Sequence, residues 1–250
     1  MNIKATTKYQ LREYKKSLGS YYLIVLLIVV LFTVLDRMWG SEGSGSYNGF
    51  EFATIIFLFI CGLNSFKGTF LMMMQNGISR KSMFIGASIT FLSVSMLMSV
   101  IDRVIAMVVD LITKAIGGLS YEGFYDLVYS HRMPKGILFE LEGILVTCAM
   151  YAAAVTAGYF ITTLYYRMNK ALKVIVSVGV PVTLFFILPL IDSMFFNGII
   201  GDLVLKLFYF IFGDFHGKAN PYNMLLVCII SSIIALGLSW LLVKRAVDKN

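Results

Sequence analysis

Apolar residues gather in six long blocks, at positions 21–35, 52–74, 83–101, 143–166, 174–191 and 224–243. The third to the sixth blocks each run 18 or more residues without a charged side chain. A helix needs about 20 apolar residues to cross the hydrocarbon core of a bilayer. The pattern therefore predicts an all-α, polytopic membrane protein with six transmembrane helices. The first block is shorter, but extends to Leu18 and Met38. A basic stretch before it and small residues at 40–45 after it resemble the flanks of a cleaved signal peptide. The basic stretch is long and contains Glu13, however, and Asp36 and Arg37 follow the apolar run directly, so this block is expected to remain as a span.

Between the blocks the periodicity changes. In the first 18 residues, Ile3, Thr7, Leu11, Tyr14 and Leu18 fall on one helical face and the lysines and Arg12 on the others. This predicts an N-terminal in-plane amphipathic helix at the inner membrane interface, residues 1–20, preceding a single six-helix transmembrane domain, residues 21–250. The third block keeps its helical character from 83 to 116, which at 1.5 Å per residue is about 51 Å, longer than a bilayer is thick. Asp102 and Arg103 then fall at the outer interface, with Asp110 and Lys114 spaced to pair above it. The fourth block carries Ala149, Ala153 and Ala157 with Ala154 and Gly158 beside them, a small-residue array that lets another helix approach. Pro181 and Pro189 remove backbone donors from the fifth block and should kink or loosen it. The apolar stretch 199–212 holds Asp202 and Lys206 and is too short to cross, so it reads as a re-entrant or interfacial outer helix between spans five and six.

Gln75, Asn76, Gly77, Ile78, Ser79, Arg80, Lys81 and Ser82 separate the second and third blocks. Gly77 can adopt the left-handed conformation that ends a helix, and Ser79 can cap the next, which predicts a tight helical hairpin. Arg80 and Lys81 stand at a helix N-terminus, where the macrodipole disfavours cations, so they answer to lipid phosphates or to an acidic groove on a partner.

Composition reinforces the membrane assignment. Of 250 residues, 58% are hydrophobic and 14% charged, with a mean hydropathy of +0.81; a water-soluble domain carries about a quarter charged residues, and a soluble enzyme is excluded. The net charge of +7 is divided by position. Thirteen of the 21 basic residues lie in the N-terminal 20 residues, in the loops after the second and fourth blocks and in the tail, accompanied there by Glu13 and Asp248 alone. The positive-inside rule then places both termini in the cytoplasm of a multi-pass cell-membrane protein. The same distribution accounts for the basic balance without nucleic acid.

Candidate chemistry is sparse. Lys67 lies deeper than the other lysines, with Asn64 a turn away, which makes the two a candidate intramembrane polar site; a lysine stem can equally snorkel to the interface. Glu140 and Glu142 precede the charge-free part of the fourth block and, two positions apart, face away from one another. His131 and His216 lack metal-ligand spacing, and Gly217-Lys218 lacks the preceding glycine loop of a P-loop. Cys61, Cys148 and Cys228 all sit in apolar stretches and do not form a disulfide framework. No catalytic residue, metal site or cofactor of this chain is expected.

The basic N-terminal helix, the hairpin 75–81, the short contact at 167–173 and the apolar stretch before the last span together resemble the membrane-spanning permease subunits of ABC transporters, in the short six-span type-2 exporter class. Asn76-Gly77-Ile78-Ser79-Arg80-Lys81 resembles the subfamilies that export small peptides. The resemblance implies a permease driven by a separate ABC ATPase subunit, with ATP and Mg bound in that partner. It implies that Gln75 to Ser82 contact the ATPase as a coupling hairpin, helped by Arg12, Lys15 and Lys16. It also implies a second permease subunit, identical or related, meeting this one largely through spans one and five. The alternative left by the residues is a non-transporting membrane substrate-capture or scaffold protein.

Overall fold

In the computed structural model the described residues are 3–39, 46–116, 120–132, 134, 136–213 and 219–244. The fold is all-α, and six helices are long and apolar enough to cross a membrane. They comprise α1 (Ile3–Trp39), α2 (Phe50–Asn64) continued by α3 (Lys67–Gln75), α4 (Arg80–Ile116), α6 (Ile137–Arg167), α7 (Lys170–Val182) continued by α8 (Leu188–Phe195), and α10 (Pro221–Lys244). The short α5 (Phe124–Tyr129) lies between α4 and α6, and α9 (Ile199–Phe212) between α8 and α10. Two three-residue strands, β1 (Ser46–Asn48) and β2 (Ser120–Glu122), pair in parallel with Ser46 opposite Ser120. The chain is thus a multi-pass membrane protein by its helices.

Contacts fix how the helices run. Thr6 meets Gly86, Tyr14 meets Phe91 and Tyr22 meets Asp102, so α1 and α4 are parallel. Gly62 meets Gly158 and Phe66 meets Tyr166, so α2–α3 runs parallel to α6. On α4, Phe91 meets Tyr159 while Asp102 meets Tyr151, so α4 opposes α6. α10 follows α6, with Tyr222 at Glu142 and Lys244 lining one cavity with Arg167. The core is aromatic and centres on α6, where Tyr151 and Tyr159 are fully buried along with Phe66 and Phe70 of the second span and Phe139. Trp240 packs on Phe84 across the α4–α10 contact.

Three expectations need correction or refinement. The N-terminal segment is not set apart as a separate in-plane helix. It is the first half of a 37-residue α1, with no break before the first span. Nothing between residues 3 and 39 is a strong helix breaker, and the stripe that it buries is Thr6, Gln10 and Tyr14, packed on α4; of the expected apolar stripe Tyr14 is buried, whereas Leu11 is exposed. The second span is not one helix either. It breaks at Ser65, where the Ser65 N–H and hydroxyl both turn back to the Gly62 carbonyl, at 3.2 and 2.8 Å. On α6, Ala149, Ala153 and Ala157 are only half-buried, and the closest helix approach is through Gly158.

Other expectations hold. α4 extends to Ile116, and α9 occupies 199–212 as a helix of 14 residues. The fifth span is loosened between its prolines into a π turn, Thr183–Ile187; Pro181 and Pro189 cannot donate into the ladder on either side of it. The cysteines are free. The Asp110–Lys114 pairing and the tail cations Arg245 and Lys249 lie outside the described residues and side chains.

Candidate functional site

The hairpin between α3 and α4 is built as a complete double cap. Gly77 takes φ +69°, the left-handed geometry that costs glycine least. Its N–H reaches the Met74 carbonyl at 3.1 Å and the Ile78 N–H reaches that of Met73 at 2.9 Å, the paired bonds of a Schellman motif. Ile78 packs against the same core that buries Met73. Asn76 Nδ2 donates to the Met72 carbonyl at 2.7 Å. On the other side the Ser79 hydroxyl accepts the Ser82 N–H at 3.2 Å, capping α4. Gln75, Asn76, Gly77, Ser79 and Lys81 are exposed, whereas Ser82 is buried. Arg80 donates from Nη1 to the Lys244 carbonyl at 2.9 Å, which ties the hairpin to the end of α10.

Arg12, Lys15 and Lys16 are exposed on α1. Gln10, one residue group earlier, bonds the Met83 carbonyl at 3.5 Å, so this basic face and the hairpin share one end of the molecule. Lys244 and Arg167 line a cavity of about 300 Å³ at that end with Leu241 and Leu242. Asn64 and Lys67 are not brought onto one helical face, because the chain breaks between them. Asn64 closes α2, its Nδ2 on the Ile60 carbonyl at 2.9 Å, and lines a cavity of about 400 Å³ with Glu13, Tyr14, Phe57 and Ser65. Lys67 opens α3 and is exposed.

The opposite end, about 33 Å along α4 from Arg80 at 1.5 Å per residue, holds a polar cluster around Asp102 and Arg103, the pair expected at the outer interface. Asp102 is buried and accepts from Tyr22 at 2.8 Å, Thr54 at 2.8 Å and Tyr151 at 2.5 Å; Tyr21 lies 2.8 Å from the Thr54 hydroxyl. Arg103 pairs with Asp126 at 2.6 Å and with Glu140, and lies 5.9 Å from the centre of the Phe139 ring. Glu51 accepts the Phe124 N–H at 3.1 Å. Glu142 turns elsewhere, to Arg132 at 2.7 Å, Tyr125 at 2.8 Å and Tyr222 at 2.6 Å, so Glu140 and Glu142 face apart as their spacing predicts. Burial pushes the Tyr129 hydroxyl of α5 up to about 12, and burial with the adjacent Glu142 raises Tyr125 as well.

Sequence reading missed this cluster because its donors are hydroxyls scattered over α1, α2 and α6, with no local spacing to connect them. The available signal was Thr54, Tyr22 and Tyr151 as isolated polar groups in apolar blocks. Also missed was Asp192, buried on α8, which accepts the N–H groups of Ile200 at 2.8 Å and Gly201 at 2.7 Å and so anchors the start of α9. Comparison with protein-family models, with curated proteins and with solved structures gave no match for this chain.

Proposed function

We propose that the chain is the membrane-spanning permease subunit of an ATP-driven exporter for a peptide or other amphipathic substrate, worked by a separate ATPase subunit. The observation that carries this reading is the hairpin: a short turn, capped on both sides and bonded to α10, that presents Gln75, Asn76 and Lys81 outward. A turn held in this way transmits a push as a rigid lever, because its backbone polar groups are already satisfied and it has little freedom to yield. Its basic surroundings, Arg12 to Lys16 and the ends of α6 and α10, favour the cytoplasmic side and an acidic cleft on the partner. Both termini are then cytoplasmic, and the cell membrane is the location.

The fifth span supports a second permease subunit. No residue of α7 is buried, and Asp192 is the one buried residue of α8. Most of the first span is likewise open on its apolar positions, with Leu23, Leu27 and Leu31 exposed. These are the faces through which the resemblance pairs two subunits, and rocking of one half against the other would open a path between them.

The test is purification of the full chain from its native membrane in mild detergent, followed by mass spectrometry and an ATPase assay. A stoichiometric P-loop ATPase that is retained by the wild type and lost with Lys81→Glu supports the reading. A chain that transports or hydrolyses without any such partner overturns it. Lys81 is the position to reverse because it is exposed, whereas Arg80 holds Lys244.

A further inference from the structure

At the end opposite the hairpin, two buried carboxylates share a space without a cation of their own among the described residues. Asp102 is 4% exposed and Glu51 5%. The two residues are far apart in sequence but adjacent in space: Glu51 and Thr54 lie three positions apart on one face of α2, and Thr54 donates to Asp102 across 48 positions. Glu51 accordingly lies within electrostatic reach of both Asp102 and Arg103.

The charges around Glu51 do not balance. Among the described residues that face it, α4 contributes Asp102 and Arg103, α5 contributes Asp126 and α6 contributes Glu140. The titratable hydroxyls there are Tyr21 and Tyr22 of α1 and Tyr151 of α6. Glu122 stands beside Gly123, where an added β-carbon would lie 2.6 Å from Glu51 Oε1. The Arg103 guanidinium, the one described there, is already committed to Asp126 and Glu140. Two further ionised carboxylates in the same buried space would repel each other and lose their hydration, a cost that proteins avoid by neutralising one of them.

Hydrogen bonding decides which one. Asp102 accepts three hydroxyl donors, an arrangement that favours its ionised form. Among the described residues, only Oε1 of Glu51 is bonded to another residue, to the Phe124 N–H; Oε2 is buried and has no partner among them. A bare carboxylate oxygen in such a place is costly, and a proton on it removes the charge. We propose that Glu51 carries an exchangeable proton on Oε2, so that Glu51 and Asp102 form a buried proton-binding site. A hard metal ion is the poorer occupant, because it prefers six or more oxygens and the Asp102 oxygens are already filled by hydroxyl donors.

The donors to Asp102 come from three helices, α1, α2 and α6. Parting of α1 or α6 from α4 would expose the site and release the proton, which links proton occupancy to the arrangement of the helices. This inference goes beyond the exporter reading and does not depend on an ATPase partner.

The test is infrared difference spectroscopy on the purified full chain at neutral pH, in H₂O and D₂O. A protonated buried acid gives a carbonyl stretch that shifts on deuteration. The expected band is present in the wild type, shifts when glutamate but not aspartate is labelled with ¹³C at the side-chain carboxyl, and is absent from Glu51→Gln. It persists in Glu142→Gln, where the carboxylate is paired elsewhere. The isotope labelling needs no variant, so a folding defect in Glu51→Gln does not decide the result. Absence of a protonated-glutamate band from the folded wild type overturns the proposal, as does its survival in folded Glu51→Gln. Displacement of the proton by sodium or calcium at constant pH also overturns it, by assigning the space to a metal ion.

Discussion

Gly62 and Gly158 meet where α2 crosses α6: a β-carbon added to Gly62 would lie 3.1 Å from the Gly158 α-carbon and would collide with the Val155 carbonyl oxygen. One added to Gly158 would collide in turn with the Phe59 carbonyl oxygen. The obstacles are backbone atoms of two packed helices, which cannot rotate away. Gly62→Ala and Gly158→Ala should therefore each destabilise the fold by roughly 1–3 kcal/mol, the range for overpacking a tight contact. Thermal unfolding in detergent measures this, with Gly237→Ala as the control because a β-carbon there meets nothing within 4 Å. The control should be neutral or slightly stabilising.

Asp102 gathers three hydroxyls, and the way it is replaced should matter. Asp102→Ala leaves the hydroxyls of Tyr22, Thr54 and Tyr151 without their acceptor and should cost on the order of 3 kcal/mol or more. Asp102→Asn keeps one acceptor oxygen and should cost less. Tyr22→Phe, which removes one donor, should cost about 1 kcal/mol. Unfolding midpoints of the three variants in one detergent give the ranking, and equal losses for Ala and Asn would contradict the bonding described.

The hairpin should be sensitive to its caps. Ser79→Ala removes the acceptor for the Ser82 N–H and should cost about 1 kcal/mol, while Ser79→Asp should keep most of the stability. Gly77→Ala places a side chain in a left-handed conformation and should cost about 1 kcal/mol, with Gly77→Asn milder. Hydrogen exchange at the Ile78 and Ser82 amides reads the local effect directly.

Asp192 should govern α9 without governing the bundle. Asp192→Ala frees the amides of Ile200 and Gly201, and their hydrogen exchange should accelerate while that of the α6 core is unchanged. The local loss should be about 1–2 kcal/mol, as for removal of a strong N-terminal cap. Ser193→Ala, next to it on α8 and bonded only to the Leu190 carbonyl among the described contacts, should leave both unchanged.

Much of the fold was legible in the residues because it depends on short-range rules. Block length located the six crossing helices, and proline chemistry located the loosened fifth span. The hairpin was readable down to Gly77 and Ser79, since helix caps involve residues only a few positions apart. The break at Ser65 was not readable, because Asn64 and Ser65 are tolerated inside helices and their turn back onto Ile60 and Gly62 depends on surrounding packing.

By itself the sequence determined which segments must leave water and where the chain must turn, because hydrophobicity and backbone conformation are properties of the residues themselves. The tertiary structure alone decided that Tyr22, Thr54 and Tyr151 converge on Asp102, that Arg103 is taken by Asp126 and Glu140, and that Glu51 keeps an oxygen without a partner among the described residues. Those partners stand between 23 and 80 positions apart along the chain. No periodicity spans such distances; only the crossing of α1, α2, α4 and α6 brings the groups together, and burial there turns ordinary polar side chains into an interdependent set.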